Sequence, residues 1–463
     1  MSKDVVIVGG GIAGLAAAWE LEQLGEVIGD VTLVEASNRL GGKMVSERVD
    51  GYLIEGGPDS FVTNKEPFMQ FLERLGVLSE VVSTQASGSS VWSRGRLEPL
   101  PEGLVLMIPS KMGPFLRSHL VSWPGKLRML ADLVIPRRRQ AGDESLSSFV
   151  TRRLGREALE RIAEPLIGGI HGAPPDRMSI EAAFPRFPQM EREHGSLIRA
   201  ALAGRRTMEP PRPGARFSYF ASFREGMGQL PAEIARRLQR TQVMTGYSAA
   251  TIRRGERYQV LLANGATLEA DAVILATPPH VSSRLVGELD ERLAGLVATI
   301  PQSATATVSV AYPRAAVPPL RGSGFVVPAV EHRRIMGLTY MSAKFPLRTP
   351  DESTVLLRAF IGGEEGQELV SAPKEEILAA VRAELRAILR IEAEPLLTRV
   401  HTWRYGLPQY VLGHLDRVRQ IEERVARWPG LQLAGAAYHG IGVPDCVESG
   451  LVAARTIAAT AGR

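Results

Sequence analysis

The fold of this chain is decided near its start, by the stretch Val5-Val-Ile-Val-Gly-Gly-Gly-Ile-Ala-Gly-Leu15. Its first four residues form a β-branched run typical of a buried strand, and the residues from Leu15 to Leu24 place apolar side chains at helical spacing. Of the glycines between them, Gly9 permits a tight turn, Gly11 lets the backbone approach a diphosphate, and Gly14 allows close packing of helix on strand. The pattern predicts a dinucleotide site at the positive end of a helix.

Two further segments decide which dinucleotide this is. A second strand, Val31 to Val34, ends in Glu35, twenty-one residues after Gly14, at the spacing expected of an acidic ribose contact. Arg39-Leu-Gly-Gly-Lys43 then supplies another glycine turn and two cations, where the chain would again meet a diphosphate. An NAD site has no need of this second turn, so the pattern favours FAD. Gly56-Gly-Pro-Asp-Ser60 is a further turn that we expect on the flavin side, with an ordinary loop as the alternative.

Composition limits the classes of protein that remain. The 463 residues are 44% apolar, enough for two or three domains with cores and too apolar for a disordered chain. Cys446 is the only cysteine, so an internal disulfide and a cysteine-based zinc or iron–sulfur site are excluded. We expect a reducing, cytoplasmic setting, because the first 24 residues lack signal-peptide features and no apolar run reaches the roughly 18 residues of a membrane span.

The net charge of +5 is concentrated in one segment. From Lys111 to Gln140, seven cations against Asp132 give +6, so the other 433 residues sum to −1. Apolar side chains alternate with these cations, a composition typical of a helix pair on an anionic lipid surface. We therefore expect peripheral contact with the inner face of the cell membrane and no binding of nucleic acid. A solvated basic face over a core is the alternative.

The remaining elements predict an α/β protein with a mixed sheet. Strands at 242–245, 258–262 and 271–276 continue the nucleotide-binding domain after a long helix-rich insertion. Strands at 305–311, 324–327, 335–340 and 354–361, with a helix at 374–390, indicate a substrate-holding sheet. Near the carboxyl end, a strand at 431–434, a glycine-rich turn and a helix at 447–459 would bring a second helix amino terminus toward the flavin.

Taken together, these segments resemble the flavin-dependent porphyrinogen oxidases of haem synthesis, closest to their soluble or peripheral bacterial type. The segments that carry the resemblance are Val5 to Leu15, Glu35 to Lys43, Gly56 to Phe61, Trp403 to Leu415 and Gly435 to Gly450. The most specific pieces are Leu407-Pro-Gln-Tyr410 with Gly413-His414, and the closing Gly440-Ile-Gly-Val-Pro-Asp-Cys-Val-Glu-Ser-Gly450. The amino-terminal motif alone fits any member of the wider amine-oxidase-like flavoprotein group.

The resemblance implies three structural parts. They are a Rossmann-type FAD-binding domain at 1–72, 225–285 and 415–463, a mixed-sheet substrate-binding domain at 73–95, 207–224 and 286–414, and a helical membrane-associating insertion at 96–206. Carried over residue by residue, the implied FAD contacts are Gly9, Gly10, Gly11, Ile12, Ala13, Gly14, Glu35, Ala36, Arg39, Gly42, Lys43, Gly57, Pro58, Asp59, Ser60, Val243, Trp403, Ile441, Gly442, Val443 and Asp445.

The resemblance also implies the reaction. In this family the flavin takes hydride equivalents from a porphyrinogen, and molecular oxygen reoxidises it with release of hydrogen peroxide. The expected conversions are coproporphyrinogen III to coproporphyrin III, protoporphyrinogen IX to protoporphyrin IX, or both, with handover of product to a ferrochelatase. The flavin carries the chemistry, so no catalytic side chain and no metal site is predicted.

Four residues are expected on the substrate side. Lys65 is the first candidate cation for a propionate, with a solvated lysine at a helix start as the alternative, and Arg177 is a weaker one. Ile170 is carried over from the family, and Phe360 is expected as an aromatic wall, with core packing as its alternative. The neighbouring His171 fits a structural turn residue better than a proton carrier.

One departure from the family bears on the substrate. Some relatives carry an arginine linked to propionate binding in the strand that enters Val91-Trp92, where this chain has Ser89 and Ser90. This difference favours the coproporphyrin-forming branch, as does Gly41-Gly-Lys43.

Three other functions are alternatives to the predicted porphyrinogen oxidase. A flavin amine oxidase shares the fold, but its expected aromatic pair and flavin-linked cysteine are not evident, and Cys446 fits a buried small residue. A carotenoid desaturase is a further possibility. A carrier that has lost its flavin should show eroded glycines, whereas Gly9, Gly11 and Gly42 are intact.

Overall fold

The quoted glycine stretch joins a parallel strand to a helix, as the sequence predicts. In the computed structural model, residues 2–105, 107–109, 111–140, 142–203 and 217–460 are described. Numbered in chain order within these ranges, the strands are β1 Lys3–Val8, β2 Ile28–Glu35, β3 Ser46–Val49, β4 Tyr52–Glu55, β5 Phe61–Val62, β6 Val81–Ser83, β7 Ser90–Ser93, β8 Arg96–Pro99, β9 Leu104–Val105, β10 Ile108–Pro109, β11 Phe220–Phe223, β12 Thr241–Thr245, β13 Ala249–Arg254, β14 Tyr258–Leu262, β15 Thr267–Ala270, β16 Ala272–Leu275, β17 Gln302–Pro313, β18 Gly324–Val326, β19 Gly337–Tyr340, β20 Thr354–Ile361, β21 Leu397–Pro408 and β22 Leu431–Leu433.

The helices separate these strands into groups. In the same ranges they are α1 Ile12–Gln23, α2 Glu66–Arg74, α3 Met112–Arg117, α4 Trp123–Leu130, α5 Leu146–Arg153, α6 Arg156–Ala158, α7 Glu164–His171, α8 Ile180–Ala183, α9 Arg186–His194, α10 Leu197–Ala203, α11 Gln229–Arg237, α12 Pro279–Leu285, α13 Glu291–Ala298, α14 Met341–Lys344, α15 Gly363–Val370, α16 Lys374–Leu389, α17 His414–Val425 and α18 Val443–Ala459. One turn of π-helix, Leu159–Ala163, joins α6 to α7.

A parallel five-stranded sheet in the order β12-β2-β1-β16-β22 forms the nucleotide-binding part. Its strands come from the start, the middle and the end of the chain. Strand β1 is buried over Val5–Val8 because one of its faces packs against α1 and α18 and the other against the antiparallel sheet of β13, β14 and β15. Helices α1 and α18 pack against each other so closely that a Cβ on Gly450 would overlap the carbonyl oxygen of Ala13. The structure thus assembles one sheet from three segments that are distant in sequence.

Helix α18 begins four residues earlier than the sequence predicts. Gly442 is its N-cap, and the Asp445 side chain accepts a hydrogen bond from the Gly442 amide at 3.2 Å. Pro444 occupies the first turn, where a proline costs nothing because its missing N–H has no helical partner. Sequence reasoning assigned this proline to the turn, and so placed Val443 and Asp445 outside the helix.

The second sheet is mixed, with the order β21-β17-β20-β19-β18-β7-β8. Its pairs are antiparallel except for β18 with β7. Helix α16 covers it, and Ile377 and Val381 share a core with Val308 and Leu357. The hairpin of β7 and β8 belongs to this sheet, so the predicted division at residue 95 falls inside the hairpin.

Helices α3 to α10 form a third group with a core of their own. Phe115, Met129 and Phe149 are buried in it, and Arg153 is fully buried with its Nε 2.6 Å from Asp132 Oδ1. A buried cation with a buried carboxylate partner is a structural element here. Across the described ranges, no helix combines the length and apolar character that crossing a membrane requires.

Candidate active site

The two glycine turns form a cradle beside the start of α1. Gly9 has φ +110°, and a Cβ there would lie 2.6 Å from the Ala276 carbonyl oxygen, so only glycine fits. A Cβ on Gly11, in contrast, would meet no described atom within 4 Å. The second turn is fastened to the first, because the Gly41 amide donates to the Gly10 carbonyl at 2.8 Å. Helix α1 has no side-chain cap and no acidic residue in its first turn, so no side chain of the helix end competes with a diphosphate for its amide groups.

Glu35 lies at the end of β2 and is already oriented. Its Oε2 accepts from the Gly10 amide at 2.8 Å, while Oε1 accepts from the amide and hydroxyl of Ser37 at 2.8 and 2.7 Å. A carboxylate offers about four acceptor positions, so this one keeps capacity for a ribose hydroxyl. Arg39 holds the turn itself, with Nη2 2.6 Å from the Gly42 carbonyl oxygen. Val243 lies opposite Leu33 in β12, at the edge of the sheet.

Lys43 links the cradle to the mixed sheet. Its Nζ donates to the Gly406 carbonyl at 2.5 Å, and burial lowers the pKa of the Lys43 ammonium group to about 8. Cys446 lies close enough to interact electrostatically with it, and burial raises the pKa of that thiol to about 12. A buried, protonated thiol agrees with the interpretation of Cys446 as a small packing residue.

The turn from Gly56 to Ser60 is held in place by side chains of the mixed sheet and of α14. Asp59 is buried, with Oδ1 2.9 Å from Lys344 Nζ and Oδ2 3.3 Å from Arg358 Nη1. Lys344 and Arg358 hold the pKa of this carboxyl far below its usual range, although burial opposes them. The Asp59 side chain therefore serves the junction of the two sheets, and its contact with FAD stays a prediction. Sequence reasoning missed Lys344 and Arg358, because no local motif marks them.

The carbonyl oxygen of Gly56 fixes the same turn from the other side. It accepts from Trp403 Nε1 at 2.8 Å and from Thr307 Oγ1 at 3.2 Å, and a Cβ on Gly56 would lie 2.7 Å from His401 Cδ2. Arg358 also donates to the Gly57 carbonyl. Trp403 thus lies at the junction of the two sheets, and its contact with FAD stays a prediction.

The start of α18 brings together two residues that the sequence treated separately. Asp445 Oδ1 lies 2.9 Å from Lys65 Nζ, while Oδ2 of the same carboxylate receives the Gly442 amide. The Lys65 side chain is 51% exposed, so its charge faces solvent as well as this partner. Ile441 and Val443 flank the N-cap glycine. This second helix end therefore carries its own anion and cation.

The other predicted substrate residues are dispersed. Phe360 is half-buried on β20, and the Arg358 guanidinium lies 4.8 Å from its ring centroid, which puts Phe360 beside the Asp59 cluster. Arg177 is exposed on a turn whose carbonyl accepts from the Leu412 amide, and no described contact joins it to that cluster. Ile170 lies in α7, and its side chain and that of His171 are outside the described set. Among described residues, no group of His, Cys, Asp and Glu is arranged to hold a metal ion.

Comparison with known proteins finds a matching family, similar relatives and a similar crystal structure. Residues 12–458 match the family model described as flavin containing amine oxidoreductase. The chain is similar to coproporphyrinogen III oxidase of Bacillus subtilis (34% identity, 97% of each chain) and to the chloroplastic protoporphyrinogen oxidase of Oryza sativa (31% identity, 99% of this chain and 88% of that one). A crystal structure from Exiguobacterium sp. 255-15 superposes with a TM-score of 0.88 at 32% identity, covering 99% of both chains.

Proposed function

The chain belongs to the flavin-containing amine oxidoreductase family, and from that premise we propose that it is an FAD-dependent porphyrinogen oxidase of haem biosynthesis. The observation that carries this function is similarity over nearly the full length of both chains to relatives named for porphyrinogen oxidation. The open cradle at Gly11 and the free amino terminus of α1 fit an FAD diphosphate.

We propose that the predicted contacts bind different parts of FAD. Gly9 to Gly14 and Gly42 bind the diphosphate, Glu35 the ribose, and the backbone from Gly57 to Ser60 the flavin side. Ile441 to Val443 lie beneath the ring. Bound FAD supplies the hydride acceptor, so the protein has to orient the macrocycle and exclude water. Oxygen as the final acceptor belongs to the same proposal.

Coproporphyrinogen III is the substrate we propose. Where some relatives carry an arginine, this chain has Ser89 and Ser90, and the Ser89 hydroxyl lies 3.1 Å from that of Ser323. The choice of this substrate rests on that departure from the family and on the similarity to a relative named coproporphyrinogen III oxidase. The proposed substrate contacts are Lys65, which is half exposed at the start of α2 and paired with Asp445, and Phe360 beside the Asp59 cluster.

The test is to reconstitute the protein with FAD and supply coproporphyrinogen III, protoporphyrinogen IX or a polyamine under air. We expect porphyrin fluorescence together with peroxide, fastest with coproporphyrinogen III. Peroxide formed with the polyamine alone would identify an amine oxidase and contradict the proposal. A protein that takes up no FAD would point to the flavin-less carrier.

We also propose that the basic segment contacts an anionic membrane, through a smaller surface than the sequence suggests. Trp123, Leu127 and Val134 are 64%, 66% and 80% exposed. Lys126, however, is buried and donates to the Leu116 carbonyl, while Arg128 donates to carbonyls at the end of α5. The charge left for lipid is therefore less than +6.

Vesicle binding tests this surface. We expect salt-sensitive binding to vesicles that contain acidic lipid, weakened when Arg137 to Arg139 are neutralised and also by Trp123→Ser, which leaves the buried core untouched. Equal binding to neutral and acidic vesicles would contradict the proposal.

A further inference from the structure

The segment from Leu407 to His414 is one of the two most specific motifs in the sequence, and its chemistry is not explained by the flavin contacts. It joins the end of β21 to the start of α17. Gln409, Tyr410 and His414 are all buried, at 8%, 2% and 0% exposure. Three large polar side chains inside a protein have to find partners, and these partners lie in two different parts of the molecule.

On one side the segment holds the loop that leads into α18. The Tyr410 hydroxyl donates to the Ala436 carbonyl at 2.8 Å and accepts from the Gly440 amide at 2.7 Å. Burial raises the pKa of Tyr410 well above its usual value, so the hydroxyl keeps the proton that it donates. One hydroxyl thus fixes both ends of a five-residue loop.

His414 supports the same loop at its middle. Its ring stacks on Tyr410 with centroids 3.9 Å apart and planes 15° apart, and Nε2 lies 3.2 Å from the Tyr438 carbonyl oxygen. Burial lowers the pKa of His414 to about 4, so the ring is neutral and Nε2 must carry the proton to donate to that carbonyl.

The loop has little freedom once these bonds form. A Cβ on Gly440 would lie 2.5 Å from Asp445 Cγ, so the loop is pressed against the first turn of α18. Because Ile441 follows directly and Gly442 is the N-cap, the position of Gly440 sets the position of the residues proposed beneath the flavin ring.

On the other side the segment holds the helical insertion. Gln409 Nε2 donates to the Gly172 carbonyl at 2.6 Å, directly after α7. The Ser179 amide donates to the Tyr410 carbonyl at 2.8 Å, and the Gly413 amide donates to Asp143 Oδ2 at 2.9 Å. Two adjacent residues thus connect the end of α7 with the loop before α18.

We propose that Tyr410 and Gln409 are positioning residues with separate targets. Tyr410 sets the flavin loop, Gln409 sets the end of α7, which contains the predicted substrate residue Ile170, and their adjacency fixes the spacing between cofactor and substrate. This inference rests on the proposed function for its substrate arm only. Its cofactor arm concerns FAD binding, which is measured without any porphyrinogen.

The cofactor arm is tested with Tyr410→Phe, which removes the hydroxyl and keeps the ring on His414. We expect about tenfold weaker FAD binding, since the half-buried Gly440 amide loses its acceptor. At FAD saturation we also expect a shifted visible absorption band and midpoint potential, which a general loss of stability would not produce. Tyr219→Phe, at a tyrosine 46% exposed, is the matched control and should behave as the unchanged protein.

Hydrogen exchange on the unmodified protein gives a readout that does not depend on the variant folding. The Gly440 amide should be protected in the apoprotein as well as with FAD, because Tyr410 accepts from it in both. Exchange at the rate of an exposed loop amide would overturn the cofactor arm. So would unchanged FAD affinity and potential in Tyr410→Phe.

The substrate arm is tested with Gln409→Met, which keeps the length of the side chain and removes the donor to Gly172. We expect KM for coproporphyrinogen III to rise about tenfold, while FAD affinity and the flavin spectrum stay unchanged. Equal losses of FAD affinity in Gln409→Met and Tyr410→Phe would indicate general loosening and overturn the separate roles. If the unmodified protein binds FAD but oxidises no porphyrinogen, the proposed function fails while the Tyr410 result still stands.

Discussion

Two helix amino termini lie at the proposed FAD site, and they differ in the side chains that already occupy them. The end of α1 is open: Gly11 has no described neighbour where a side chain would begin, and the first turn holds no acid. The end of α18 is already occupied, because Asp445 accepts the Gly442 amide and pairs with Lys65. Since a helix amino terminus carries about half a positive charge, the open end suits a diphosphate, whereas the end that already holds an ion pair suits the flavin ring. Similar glycine turns therefore prepare two different electrostatic sites.

The largest effect is expected when a negative charge is placed at the open amino terminus of α1. Gly11→Asp places a carboxylate in free space beside α1, so the apoprotein should keep its stability while FAD affinity falls about a hundredfold or more through charge repulsion. Fluorescence titration of FAD measures the change. Gly255→Asp, at another glycine with no described neighbour within 4 Å, is the matched control. Comparable losses in both variants would contradict a diphosphate at Gly11.

The converse change removes the negative charge at the amino terminus of α18. Asp445→Ala removes an anion beside the proposed ring site, so reduction becomes easier and the midpoint potential of bound FAD should rise by about 30 mV, equivalent to about 1.4 kcal/mol for two electrons. Lys65→Met should shift the potential in the opposite direction. Spectroelectrochemical titration tests both. Shifts of the same sign in the two variants would rule out an electrostatic role for this pair.

A smaller effect is expected at Lys43, which lies between the two ends. Because burial lowers its pKa to about 8, the ammonium charge of the free protein is present below that pH and lost as the pH rises above it. FAD affinity should fall severalfold between about pH 7 and pH 9. Lys43→Arg should abolish this decline, since arginine stays charged. A titration that is equally steep in the arginine variant would assign the decline to another group.

The two helix ends differ in how far they could be predicted from the sequence. The α1 end follows from local rules, because the spacing of Gly9, Gly11 and Gly14 fixes strand, turn and helix within a dozen residues. The α18 end depends on Lys65, which is 380 residues away from its partner Asp445. No spacing rule connects the two, so sequence reasoning gave them unrelated roles.

Prediction of the turn at Asp59 and of the basic segment from the sequence was limited in the same way. Arg358 reaches Asp59 only because β20 sits at one register in the mixed sheet, opposite β17. The charges near Lys126 were counted correctly, yet their availability depends on which carbonyl groups the fold brings within reach. Local motifs predicted the elements, whereas the long-range pairing of those elements decided which side chains were left for function.

The order of strands in the parallel sheet has a consequence for synthesis of the chain. Strand β1 lies at the centre, and its partner β16 is encoded far downstream, with Val5 paired to Ala272. At a translation rate of about 5–20 residues per second, one edge of β1 waits roughly 13 to 53 seconds for that partner. During this interval a strand destined for full burial is exposed on the ribosome. We expect the nascent chain to be a substrate for chaperones until the middle of the protein has emerged.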